Sequence, residues 1–176
     1  MKIFYCICCL LLLSQPTYAA KKSFLRKSGD YLRVGIPLSG VIVSWMKNDQ
    51  EGLVGLAEGV VVTQTLTEVT KTYTNKERPD GTNNISMPSG HMSAASSGAA
   101  YLGLRYGWQY GAPAWLAAGI VGYSRVDAKK HDTVDVLVAA ALALGVQYMI
   151  TTQKFSAAAV PVIDESSVGL QVTGSF

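Results

Sequence analysis

The chain contains two histidines, and both stand among polar residues at the ends of apolar segments. His91 closes the tetrapeptide Pro88-Ser89-Gly90-His91. His131 follows Ser124-Arg125 and precedes Asp135 by four positions. A third polar group, Lys71 followed by Arg78-Pro79, comes before both. Histidine titrates near neutral pH, so a pair of them suits a reaction that needs one nucleophile and one proton carrier. If a helix already runs at His131, the four-residue spacing puts His131 and Asp135 on one face. A carboxylate so placed holds one ring nitrogen as a donor and leaves the other free to attack.

Lys71, Arg78 and Arg125 are cations near the ends of apolar segments. Singly they read as solvated helix ends; together they can converge on one anion, the guanidinium forks bonding two oxygens each and the ammonium acting as a point charge. Pro88-Ser89-Gly90-His91 reads as a helix start. Ser89 is a capping residue, and the free amides of the first turn, with the helix dipole, attract an anion. Gly90 removes a side chain where backbone would approach that anion most closely. A capping turn with an incidental histidine explains this tetrapeptide equally well when it is taken alone. A capping His with a surface Asp likewise explains His131 and Asp135.

Taken in order, Lys-x6-Arg-Pro, Pro-Ser-Gly-His and Ser-Arg-x5-His-x3-Asp resemble the motif set of the type-2 phosphatidic acid phosphatase superfamily. That group includes lipid phosphatases, bacterial class A acid phosphatases and vanadium haloperoxidases. The resemblance spans residues 71–140, and the stretch 111–135 is similar to a subset of exported bacterial members. It implies that Lys71, Arg78 and Arg125 bind phosphate oxygens, with the Ser89 hydroxyl and Gly90 amide completing the cradle and Ser124 a weaker candidate. It further implies that His131 attacks phosphorus, Asp135 orients His131, and His91 protonates the leaving oxygen and then activates water. The chain departs from the pattern in having one Arg-Pro pair, Asp132 where an aromatic is common, and Val134 where Ser is frequent. These positions flank the chemistry and bear on substrate fit.

The function so implied is a metal-independent phosphatase, acting through a phosphohistidine on phosphomonoesters or pyrophosphates of membrane lipids. No cofactor is expected, because fixed cations and helix-end amides can neutralise charge in phosphoryl transfer. The expected partners are a phosphorylated lipid or small phosphate ester and a membrane surface. Three alternatives stay open: a soluble broad-specificity periplasmic acid phosphatase, vanadate-dependent halide oxidation, and a non-catalytic phosphate-binding envelope protein. Net charge is +3, too weak and too scattered to argue for nucleic acid.

These residues need elements to hold them. The chain has 176 residues, one domain's worth, 49% hydrophobic and 15% charged. That is greasier than a soluble domain, whose charged share is about 25%. Residues 1–19 read as a secretory signal peptide cut after Ala19 or Ala20. Their apolar run is well short of the roughly 20 residues that span a bilayer, which disfavours a membrane anchor. Cys6, Cys8 and Cys9 all lie inside it, so the exported chain would hold no disulfide. Residues 21–152 are expected to form an all-α bundle of about five to six helices. Lys21–Asp30 reads as a linker or first turn, and helices are expected over 31–46, 52–71, 90–106, 114–123 and 134–151. Trp108–Pro113 reads as a connection, and residues 153–176 as a short extended tail, because apolar and polar residues alternate from Val168. The expected location is the bacterial periplasm, soluble or associated with the inner membrane. Tyr101, Tyr106, Trp108 and Tyr110 cluster at a helix end, as either an interfacial belt or core packing.

Overall fold

A computed structural model of the chain describes residues 18–153, 156–164 and 167–175, with side chains over 24–152. The signal-peptide reading therefore falls outside the described residues, except that Tyr18, Ala19 and Ala20 begin the first helix. Five helices follow in order: α1 Tyr18–Met46, α2 Gln50–Thr74, α3 Gly90–Tyr106, α4 Trp108–Asp127 and α5 Thr133–Gln153. Two antiparallel strands close the described chain, β1 Ser156–Asp164 and β2 Ser167–Ser175, in a register that pairs Ser156 with Ser175 and Asp164 with Ser167. The fold is a helical bundle, with the extended tail forming a hairpin.

α3 is the hub and packs against α1, α2, α4 and α5. Its sequence explains this: Ser93, Ala95, Ser96, Ser97, Gly98, Ala99 and Ala100 are all buried and small, so neighbouring backbones come close. A Cβ on Gly98 would stand 2.6 Å from the Pro37 nitrogen of α1. A Cβ on Gly111 would stand 2.6 Å from the Gly103 Cα. Gly111 thus serves the contact between α3 and α4, not a turn.

Two segments differ from expectation. Lys21–Asp30 is neither a linker nor a first turn but the body of a 29-residue α1. Its Lys, Leu and Arg residues are good helix formers, and Asp30 gains ionic partners on α3 and α4 that a linear reading does not reveal. Trp108–Pro113 is the start of α4 rather than a connection, because Gly107 alone absorbs the reversal at φ 91°. Among the tyrosines, Tyr101 is buried and Trp108 exposed, so the aromatic cluster divides between core and surface.

The α1–α2 corner is tied down. Asp49 caps α2 by accepting from the Gly52 amide at 2.8 Å, and Arg105 donates to both of its oxygens at 2.9 and 2.7 Å. Tyr106 adds a hydroxyl at 2.8 Å. The Arg105 contact, strongest of these, holds the Asp49 carboxyl far below the usual carboxylate range.

The core mixes small polar with apolar side chains, and large apolar ones also lie on the surface. Ser44, Thr63, Thr67, Ser93, Ser96, Ser97 and Gln147 are fully buried, whereas Leu38, Ile42, Trp45, Val61, Leu116 and Leu137 face outward. Among the described residues, α5 is the one helix long and apolar enough to cross a membrane, over Thr133–Thr152.

Candidate active site

A cavity of about 400 Å³ opens where α1, α2 and α3 meet the loops after α2 and α4. Lys71, Arg78, Gly90, His91 and His131 all border it, and so do Arg33 and Glu68. Two histidines that lie 40 positions apart in sequence therefore share one wall-to-wall space.

His131 comes just before α5, which starts at Thr133, so it is not yet on that helix. Its ring is buried. Nδ1 lies 2.6 Å from the Ser86 carbonyl oxygen. A carbonyl only accepts, so Nδ1 carries the hydrogen and Nε2 keeps its lone pair. Burial, offset in part by the Ser86 bond and reinforced by Arg78, lowers the ring to about 4, which leaves it neutral at pH 7. A neutral imidazole with a free Nε2 is a competent nucleophile.

Asp135 does not make the contact expected of it. Its Oδ2 stands 3.9 Å from His131 Nδ1, beyond hydrogen-bond range. The carboxylate instead accepts from the Ser86 hydroxyl at 2.5 Å, the Lys76 ammonium at 2.7 Å and the Asp132 amide at 2.9 Å. The Asp135 carbonyl accepts from the Ser89 amide at 3.1 Å. Asp135 thereby fixes the loop whose Ser86 carbonyl aims His131. Lys76 bridges Asp135 and Asp132, and its hydrogen bonds to them, Asp135 first, raise its pKa against the opposing effect of burial.

Lys71 is buried and donates to Glu68 at 2.7 Å. A Cβ on Gly90 would come within 3.2 Å of its Nζ, so the bare glycine keeps the ammonium clear. Ser89 occupies the N-cap position of α3 but makes no capping hydrogen bond. Instead the buried Ser89 Oγ and the buried Arg78 Nε have no hydrogen-bond partner among the described residues. Two unpaired polar atoms inside a protein cost about 1–3 kcal/mol each. A tetrahedral oxyanion would satisfy both kinds of group, accepting from the guanidinium and from the hydroxyl.

Arg125 is buried and is not on the cavity wall. Its guanidinium contacts Asp30 at 3.2 Å, the Arg26 carbonyl at 3.1 Å and the Ser124 hydroxyl at 3.1 Å. His91 Nε2 donates to the same Asp30 oxygen at 3.0 Å, and Arg33 reaches His91 Nδ1 at 3.5 Å. Burial first, then the charges of Arg125 and Arg33, lower this ring to about 4 despite Asp30.

Sequence reasoning missed Asp30, Arg33, Lys76 and Ser86. The only sequence signal for Arg33 was its being a lone charge in an apolar run. Lys130, in the loop before His131, pairs with Asp80 at 2.5 Å.

A model of the PAP2 superfamily matches residues 52–158. A lipid A 4'-phosphatase of Helicobacter pylori is 31% identical over 140 residues, covering 73% of this chain and 70% of that protein. The crystal structure of Aquifex aeolicus LpxE superimposes with a TM-score of 0.63 at 22% identity, covering 78% of this chain and 89% of that one.

Proposed function

The chain belongs to the PAP2 superfamily and is a phosphatase, and on that premise we propose that it removes phosphate from a membrane lipid through a phosphohistidine on His131. One observation carries the reading: both imidazoles, three cations and the bare Gly90 edge border one cavity, beside buried Arg78 Nε and Ser89 Oγ atoms that have no partner among the described residues.

In this reading the phosphate lies against Lys71, Arg78, Ser89 and the Gly90 amide. The three oxygens that gain charge in the transition state then meet fixed donors. His131 Nε2 forms the N–P bond as the ester P–O bond breaks in line. His91 gives a proton to the departing oxygen. Water then attacks phosphorus, His91 takes a proton from it, and the N–P bond breaks to return His131 and inorganic phosphate. Arg125 joins the phosphate by turning part of its fork from Asp30.

The outward Leu38, Ile42, Trp45, Val61, Leu116 and Leu137 favour a membrane-associated lipid substrate over a freely soluble ester. The similarity to a lipid A 4'-phosphatase supports a phosphorylated glycolipid as the first substrate to try. Export by residues 1–19, with the site facing the periplasm, belongs to the same proposal.

The test is phosphate release from lipid A and from phosphatidate by the detergent-solubilised protein in EDTA. Wild type should turn over and His131→Ala should not. Equal turnover by that variant would remove the mechanism. Radiolabelled phosphate held on the wild-type protein, acid-labile and alkali-stable, would mark the phosphohistidine.

A further inference from the structure

α1 precedes the residues matched by the PAP2 superfamily model, yet it carries the carboxylate on which two site residues meet. Asp30 Oδ1 lies 3.0 Å from His91 Nε2 and 3.2 Å from an Arg125 nitrogen. Arg33, one turn further along α1, stands 3.5 Å from His91 Nδ1. These contacts orient the ring. Nε2 faces Asp30, which is off the cavity wall, and Nδ1 faces Arg33, which is on it. The helix is held close enough for this by Gly29, where any Cβ would collide with Ser124 Oγ and come within 3.2 Å of the Arg125 guanidinium.

We infer that Asp30 is a positioning residue that aims His91 Nδ1 at the leaving oxygen and transfers its support from Arg125 to His91 when phosphate arrives. The inference rests on the phosphatase reading of the cavity. One oxygen of Asp30 serves a guanidinium and an imidazole together. A phosphate offers Arg125 two oxygens in fork geometry and so competes with Asp30 for it. Once Arg125 turns to the phosphate, the carboxylate faces His91 alone. The phosphate adds negative charge to the same space. Both changes favour the imidazolium over the neutral ring. The ring then takes a proton from solvent, the one the leaving oxygen needs. The charged groups around it are Asp30 and Arg33 from α1, Arg125 from α4, Lys71 with Glu68 from α2, and Arg78 from the loop after α2, with the neutral ring of His131 opposite. In the free site burial and the two arginines hold the ring neutral, so the proton is loaded only on binding.

Asp30→Asn keeps the shape and removes the charge. Titration of the His91 ring by nitrogen-15 NMR, with and without inorganic phosphate, reads the effect without any turnover. In wild type, phosphate should raise the His91 midpoint from about 4 to about 6 or above. In Asp30→Asn the rise should shrink by at least half, and Asp30→Glu should restore part of it. Single-turnover phosphoryl transfer gives the second readout. With an alkyl phosphate lipid, whose leaving oxygen needs a proton, the Asn variant should slow about 100-fold. With p-nitrophenyl phosphate, whose leaving group needs none, it should slow at most a few-fold. An unchanged His91 titration, or equal slowing on both substrates, overturns the inference while leaving the phosphatase reading intact. If instead wild type hydrolyses no phosphate ester but the NMR difference appears, the phosphatase reading falls and the positioning geometry survives. Should the Asn variant fail to fold, Asp30→Ala, which also removes the carboxylate, decides: a wild-type His91 titration or a wild-type ratio between substrates overturns the inference, and displacement of both supports it.

Discussion

Acidification from pH 7 to pH 5 should destabilise the fold, chiefly through its two histidines. Each has a midpoint near 6.5 when unfolded and about 4 when folded. A group whose folded pKa is depressed contributes fully above the unfolded value and loses that contribution as pH falls toward the folded one. The window is therefore pH 6.5 to 4. Near pH 5.2 the unfolded chain holds nearly one more proton per histidine than the fold does, almost two in all. The slope there is about 2.5 kcal/mol per pH unit, from about 1.36 kcal/mol per proton and unit. Across the whole window each ring costs on the order of 3 kcal/mol, an upper figure for His91, whose side chain is 24% exposed. The assay is denaturant unfolding in detergent, followed by near-ultraviolet circular dichroism every half unit from pH 7 to 5. Stopping at pH 5 keeps carboxylates such as Asp49 and Asp80, both held below their usual range, out of the measurement. His131→Asn keeps a donor for the Ser86 carbonyl and should halve the slope. A flat profile in wild type, or an unchanged slope in the variant, would refute the argument that both rings are buried neutral.

Two further outcomes follow from the packing. Lys76→Met strands the buried Asp135 beside Asp132 and should cost about 3–5 kcal/mol, with most activity lost. The double variant Lys76→Met, Asp135→Asn should recover part of that stability in the same unfolding assay. Gly29→Ala pushes α1 off Ser124 and should cost about 1–3 kcal/mol and lower kcat more than it raises KM, as measured by unfolding and steady-state kinetics.

Much of the bundle was legible because its signals are local. Polar turns bounded α2, α3 and α5 to within a few residues, and the extended tail showed in the alternation after Val168. The site was legible where a local motif is enough, as in Gly90-His91 and His131, which border one cavity. What escaped depends on contacts that no spacing encodes. Ser86 acts on His131 with its carbonyl, an atom every residue possesses, so no residue type announces it. Asp30 meets His91 and Arg125 across 61 and 95 positions. Lys76 matters only because its loop folds back over Asp135, 59 positions away. The Asp135 reading assumed a helix already formed at His131, and the two-residue delay before α5 gives the Nδ1 hydrogen bond to a backbone carbonyl instead.

The corner where Gly29 and Asp30 meet Ser124 and Arg125 also constrains how the molecule comes into being. α1 is made before α4, so the Asp30 carboxylate must wait nearly a hundred residues for the Arg125 guanidinium. That contact can close only after most of the bundle has been synthesised, which makes it a late, long-range step of folding rather than a local one.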